Sequence, residues 1–202
     1  MELFVVLIGC IIIEMNLEQE KDLIERAKYS SEAFGEIYDM YYDRIFGYAL
    51  RRSADVDSAK DITSEVFFKA LKNITKFRWQ GVPASHWLYR IANREIINHH
   101  NNRKREINFE TPVEPNNPAL QKELAGSQND IKAYDDYLDL HKYLSRLSPK
   151  HQEVITLKYF EDLSIADIAE ILQKPEGTVK SELHRGIDNL RKMMESGVKN
   201  EK

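Results

Sequence analysis

In two stretches of this chain apolar side chains return every three or four positions, and in none do they alternate long enough to make a strand. That period restricts the chain to an all-α fold. The first stretch runs from about Leu17 to Arg105 and the second from Tyr137 to about Ser196. Between them, from Glu106 to Asp136, seven acidic residues stand against two lysines, and Pro112, Pro115 and Pro118 interrupt helix formation. The spacing predicts two small helical domains, 15–105 and 137–196, joined by a flexible acidic linker, 106–136, with a tail at 197–202.

Residues 1–14 stand apart. Leu3 to Ile13 is an apolar run of eleven residues, short of the roughly 17–25 that a membrane-spanning helix needs. Glu2 precedes it and no small-residue cleavage site follows, so neither stable membrane insertion nor export is expected. Three readings stand: a start codon assigned upstream of Met15, contact with a membrane surface, or packing on the domain. The single Cys10 excludes an internal disulfide and a Cys-based zinc cluster, which fits a cytoplasmic protein. At a net charge of −4 the chain cannot coat nucleic acid through bulk charge, so DNA binding must come from local patches or with a larger partner.

The helix faces locate such patches. In Ser31–Arg52 a stripe of Ala33, Phe34, Ile37, Tyr38, Tyr41, Tyr42, Ile45, Phe46 and Ala49 reads as core. In Asp57–Ile74 the core face is Ala59, Ile62, Val66, Phe67 and Ala70, while Asp61, Ser64, Glu65, Phe68 and Lys72 share the opposite side. An aromatic on an acidic outer face marks a partner surface more than a solvated one. The helix Ala84–Arg105 buries Ala84, Trp87, Leu88, Ile91, Ala92 and Ile96, and aligns Arg90, Asn93, Arg94, Ile97, His100, Asn101 and Lys104 on its other side. Between Arg90 and Arg105 five basic residues oppose Glu95 alone, a stripe able to meet phosphates while its amides read base edges. Phe77, Trp79 and Trp87 surround the adjoining Gly81–Pro83 loop, and aromatics beside basic residues suit unstacked single-stranded bases. The alternative reading makes both tryptophans core anchors, and it fits Trp87 better than Trp79. The pair His99–His100 has no companion Cys/His cluster, so no metal site is expected.

In the second stretch Ser148–Pro149 opens one helix, and Ser164, with Asp167 three residues on, caps another whose buried face is Ile165, Ile168, Ala169 and Leu172. Gln173 to Gly177 reads as the turn. The next helix buries Val179, Leu183, Ile187 and Leu190 and presents Thr178, Lys180, Ser181, His184 and Arg185. Two helices across a tight turn, the second polar and basic outside, is the helix-turn-helix arrangement that reads a major groove, although an ordinary helical hairpin has the same spacing.

The run LSPKHQEVITLKYFEDLSIADIAEILQKPEGTVKSELHRGIDNLRK (Leu147–Lys192) resembles the fourth conserved region of extracytoplasmic-function (ECF) sigma factors of bacterial RNA polymerase. Ala33–Arg105, with AFGEIYDMYYDRIFGYAL, AKDITSEVFFKAL and HWLYRIANREIINHHNNRKR, is similar to the second region of that family. The resemblance implies a dissociable, non-enzymatic subunit that binds core RNA polymerase and promoter DNA, double-stranded and melted, and that is open to control by an anti-sigma factor. It implies no cofactor. Asp61, Ser64, Glu65 and Phe68 would dock on the polymerase. Phe77, Trp79, Arg90, Asn93, Arg94, Ile97, Asn101 and Lys104 would meet the opened minus-ten element, and Thr178, Lys180, Ser181, Glu182, His184 and Arg185 the minus-thirty-five element.

Two positions depart from the family's usual form: Glu182 stands where many relatives carry Arg, and Gly186 where they carry Ala. Glu182 could accept from a cytosine amino group or repel phosphate, and Gly186 costs about 1 kcal/mol of helix propensity. A stand-alone helix-turn-helix regulator would explain Leu147–Lys192 but not the Phe68 face or the Arg90 stripe. An enzyme has no support, since the chain carries no P-loop, dinucleotide loop, H-E-x-x-H or nucleophile elbow.

Overall fold

The computed structural model describes residues 16–106 and 143–200, and these are helical apart from their connections. The first domain contains α1 (Leu17–Ala27), α2 (Ser31–Ser53), α3 (Val56–Asn73), a 3-10 turn (Ile74–Lys76) and α4 (Ala84–Glu106). The second contains α5 (Pro149–Tyr159), α6 (Ile165–Leu172) and α7 (Glu176–Asn200). The linker reading falls on residues outside the described ones, as do all three readings of residues 1–14.

Local chemistry sets most helix starts. Asn16 and Gln19 form a reciprocal capping box on α1, Ser30 accepts from the Ala33 N–H of α2, and Asp55 accepts from both the N–H and the hydroxyl of Ser58 on α3. Helix α4 is capped from a distance instead. The Glu20 carboxylate of α1 accepts the Ala84 N–H at 2.7 Å and the Tyr41 hydroxyl of α2. Burial and Glu20 push that phenol well above its ordinary range, so it remains a donor. One buried carboxylate therefore fixes the loop before α4, where Gly81 holds φ 79°. In the second domain Ser164 and Asp167 form the expected capping box, whereas Ser148 sits at the N-cap of α5 without a side-chain cap bond.

The core of the first domain is built by Leu23, Ile24, Ile37, Ile45, Ile62, Val66, Leu88 and Ile96, all buried. Of the expected α2 stripe, Ala33, Phe34, Ile37, Tyr41, Ile45 and Ala49 are buried, and its other three residues are not. Tyr38 is 39% exposed, and Tyr42 and Phe46 lie half-buried at the rim, while Tyr48, outside the expected stripe, is fully covered. Tyr48 is covered because α4 packs over it, its ring meeting Tyr89 edge-on at 5.3 Å. Two further expectations shift. The turn before α7 ends at Pro175 and its left-handed residue is Gln173 (φ 54°), so Gly177 lies in the first turn of the helix. Helix α7 continues to Asn200, past the expected boundary at 196.

The two domains pack on each other. Val154, Leu157, Ile168, Ile171 and Val179 of the second belong to one continuous apolar cluster with the core of the first, while Leu144, Leu147 and Ile155 form a smaller cluster under α7.

Candidate nucleic-acid interface

Helix α3 presents the expected outer face: Asp61, Ser64, Glu65 and Lys72 are exposed, and Phe68 is 59% exposed with no core role. Leu71, one turn on and 49% exposed, extends this apolar spot; its i+3 spacing from Phe68 was the available signal. Glu65 pairs with Lys69 at 3.1 Å, and Lys69 also bonds the buried Glu95 of α4, so the acidic face is tied to the basic helix behind it.

The loop from Phe77 to Pro83 brings its aromatics to the start of α4. Phe77 and Trp87 lie 4.6 Å apart, and both they and Trp79 are half-buried against the core. Each tryptophan thus anchors and faces outward at once. Two shallow cavities flank Trp87: one of ≈ 300 Å³ walled by Lys76, Arg78, Arg90 and Glu170, the other of ≈ 380 Å³ by Lys69, Asn73, Arg90 and Arg94. Arg94, Ile97 and Asn101 are exposed along the same side of α4, and Lys104 follows on its backbone. Asn93 is half-buried, its Oδ1 covered and without a protein partner. His100 Nε2 lies 3.2 Å from the Arg52 carbonyl oxygen, and no metal-binding group occurs among the described residues.

On α7, Lys180, His184 and Arg185 are exposed, Thr178 and Ser181 half-buried, and the Ser181 hydroxyl donates to the Thr178 carbonyl at 2.9 Å. Lys180 pairs with Glu176 at 3.2 Å and His184 lies 3.4 Å from Asp188. Glu182 is turned inward. Its carboxylate lies 2.9 Å from Lys174 Nζ, which also holds Glu153 of α5 at 3.1 Å, and its side chain is only 14% exposed. Burial lowers the Lys174 pKa, but the two carboxylates outweigh it, so the ammonium stays charged and ties the turn to α5 and α7. Glu182 thus braces the helix-turn-helix.

Sequence reasoning missed the residues between the domains. Glu161, just beyond α5, is buried and receives the Arg51 guanidinium and the Tyr89 hydroxyl. Burial and Glu161 push the Tyr89 phenol far up, keeping it a donor. Gln152 donates to the Arg51 carbonyl at 3.3 Å. Arg90 reaches the Glu170 carboxylate of α6 at 3.3 Å, and His86 sits 3.7 Å from both Asp167 and Glu170. No periodicity marks Glu161; Glu20, by contrast, shares the helical stripe of Leu23, Ile24 and Ala27.

A basic, aromatic-flanked helix in one domain and a braced helix-turn-helix in the other define a two-part DNA-reading protein. The chain matches the family models for Sigma-70 region 2 over residues 37–106 and Sigma-70, region 4 over residues 137–190. It is 30% identical over 185 residues to the ECF RNA polymerase sigma factor SigW of Bacillus subtilis, covering 89% of this chain and 98% of that one. It is 29% identical over 174 residues to the ECF sigma factor BldN of Streptomyces coelicolor, covering 86% of this chain and 65% of BldN. Its fold is that of CnrH, solved in complex with the cytosolic domain of CnrY (TM-score 0.63, 17% identity, covering 88% of this chain and 97% of that one). The RpoE of Bartonella quintana, solved with the anti-sigma factor NepR, shares it too (TM-score 0.62, 22% identity, covering 80% and 96%). The chain belongs to the ECF family of RNA polymerase sigma factors. It is a non-enzymatic initiation subunit that binds core polymerase and directs promoter recognition.

Proposed function

We propose a division of that work among the described surfaces. The Asp61–Ser64–Glu65–Phe68 face of α3 docks on core polymerase. The Phe77–Trp79 loop and the Arg90, Asn93, Arg94, Ile97, Asn101 and Lys104 side of α4 hold the non-template strand of the minus-ten element. Thr178, Lys180, Ser181, His184 and Arg185 of α7 read the minus-thirty-five duplex; Glu182, turned toward Lys174, acts there by fixing the helix. The protein works in the cytoplasm, with the core polymerase it binds. The proposal includes a regulatory protein partner of the anti-sigma kind, the class of partner with which RpoE was solved.

The observation that carries the strand assignment is the Phe77–Trp87 pair, 4.6 Å apart, opening onto cavities walled by Lys76, Arg78, Arg90 and Arg94. A base entering there meets an aromatic face while its phosphate meets a guanidinium. Arg90→Ala and Asn93→Ala should each lower open-complex formation by reconstituted holoenzyme about tenfold, equivalent to about 1.4 kcal/mol, with core affinity little changed. Permanganate reactivity of unpaired thymines measures the opening. Normal reactivity in both variants would remove the assignment.

A further inference from the structure

The match to region 2 begins at residue 37, so α1 stands outside it. Leu23, Ile24 and Ala27 seat this helix in the core of the first domain against α2, and its position is therefore set without help from the strand-facing loop. From that seat the Glu20 carboxylate, in a residue only 4% exposed, accepts two donors on one oxygen: the Ala84 N–H at 2.7 Å and the Tyr41 hydroxyl. A single atom thus joins α1, α2 and the first residue of α4. The upstream end of the loop is fixed differently, the Phe77 N–H donating to the Asn73 and Ile74 carbonyls at 3.1 Å. The segment from Arg78 to Pro83 is suspended between these two anchors, and Glu20 supplies the downstream one. Trp87 follows Ala84 by three residues and Arg90 by six.

We infer that Glu20 is a positioning residue for strand capture, holding the first turn of α4, and with it Trp87 and Arg90, at the place where the opened strand is received. The inference rests on the strand-facing reading of α4. Local caps such as Ser30 and Asp55 satisfy a helix start without tying it to another element. A carboxylate delivered from a separate helix also sets where that first turn lies relative to the core. Burial of the charge enforces the geometry, because a carboxylate out of water is costly unless its donors stay in place. A base stacking on Trp87 while its phosphate meets Arg90 needs both side chains at once, and a misplacement of about 1 Å is enough to cost an oriented reaction on the order of a hundredfold. Glu20 itself touches no DNA; α1 contributes to promoter opening through a hydrogen bond that spans 64 residues of sequence.

The chain has two tryptophans, Trp79 and Trp87, so its intrinsic emission reads this loop and the first turn of α4. Glu20→Ala removes the acceptor, whereas Glu20→Gln keeps an acceptor oxygen at the same reach and removes only the charge. In full chains verified as folded by circular dichroism, Glu20→Ala should red-shift the tryptophan emission and raise its quenching by acrylamide, and Glu20→Gln should match the parent. In reconstituted holoenzyme, Glu20→Ala should lower open-complex formation at least about tenfold, read by permanganate reactivity, with core affinity little changed. Glu20→Gln should restore most of the opening. Tyr41→Phe keeps the ring and removes one donor from Glu20; it should give the same two changes in smaller measure, and it serves as the test if Glu20→Ala does not fold. Arg90→Ala is assayed alongside. Where Arg90→Ala impairs opening, the inference is overturned if folded Glu20→Ala, or Tyr41→Phe in its place, opens the promoter as the parent does. It is overturned equally if core affinity falls in step with opening, or if Glu20→Gln fails as badly as Glu20→Ala. Where Arg90→Ala opens normally, the strand-facing reading of α4 falls and the inference falls with it.

Discussion

Gly186 lies where α7 passes over α5, and a Cβ built on it would sit 2.9 Å from Ile155 Cδ1 and 3.1 Å from His151 Cβ. Propensity alone favours alanine by about 1 kcal/mol, but overpacking a buried crossing costs about 1–3 kcal/mol, and Ile155 is only 3% exposed. Gly186→Ala should therefore fail to stabilise the chain and should lower its melting temperature, with Ile155→Val restoring part of the loss. The neighbouring His151 gives a pH signature. Burial lowers its pKa, Lys150 and Arg185 add to that, and Glu182 opposes them; Asn189 lies 3.5 Å from Nδ1. The unfolded chain takes up this proton first, so the associated stability is fully present above the unfolded value near 6.5 and is lost as pH falls through it. Between about pH 7.5 and 5.5 the melting temperature of His151→Gln should fall less than that of the parent. Neither effect was legible in the sequence, because a glycine in a helix shows its propensity cost but not the neighbour it accommodates.

At the scale of elements the sequence carried more. The outer face of α3 followed from period alone, since Phe68 stands about 180° from the line of Ile62, Val66 and Ala70, and the structure leaves it 59% exposed. Phe68→Ala/Glu65→Lys should weaken core-polymerase binding at least about tenfold, about 1.4 kcal/mol, with the melting temperature little changed. The loss of the Glu65 pair leaves Lys69 bonded to Glu95. Fluorescence anisotropy with labelled protein measures the affinity, and an unchanged value in a folded variant rules the surface out. The capping box at Ser164 was legible for the same reason, because its chemistry is local. The cap on α4 was not, since Glu20 lies 64 residues from the Ala84 N–H it receives. The turn was legible from Gln173 onward, but not that Gln173 itself is left-handed or that the helix resumes at Glu176, because neither is set by residue type alone.

For the whole molecule, net charge and internal ion pairing act in the same direction. Lys174 to Lys192 carries five basic residues against three acidic ones in a chain of net charge −4, so few counterions are released on binding. Lys174 and Lys180 are moreover paired with glutamates. The free chain should give near-background mobility shifts on promoter DNA at physiological salt and specific shifts once core is added. Lys180→Ala/Arg185→Ala should abolish discrimination of the upstream element; tight, specific binding by the free chain would instead indicate a stand-alone regulator. Domain number and order were readable from the two periodic stretches, whereas their mutual packing was not, because it depends on single residues such as Glu161 that belong to no repeat.

Glu161 also limits how far the two halves can be exchanged between relatives. A chimera joining this α2 and α4 to a C-terminal domain with an apolar or basic side chain at position 161 would press Arg51 and Tyr89 against a surface offering no acceptor. Such a hybrid leaves a guanidinium and a phenol unsatisfied wherever the domains meet. Positions 51, 89 and 161 should therefore be inherited as a set, and domain shuffling that separates them should yield subunits whose domains pack poorly on each other.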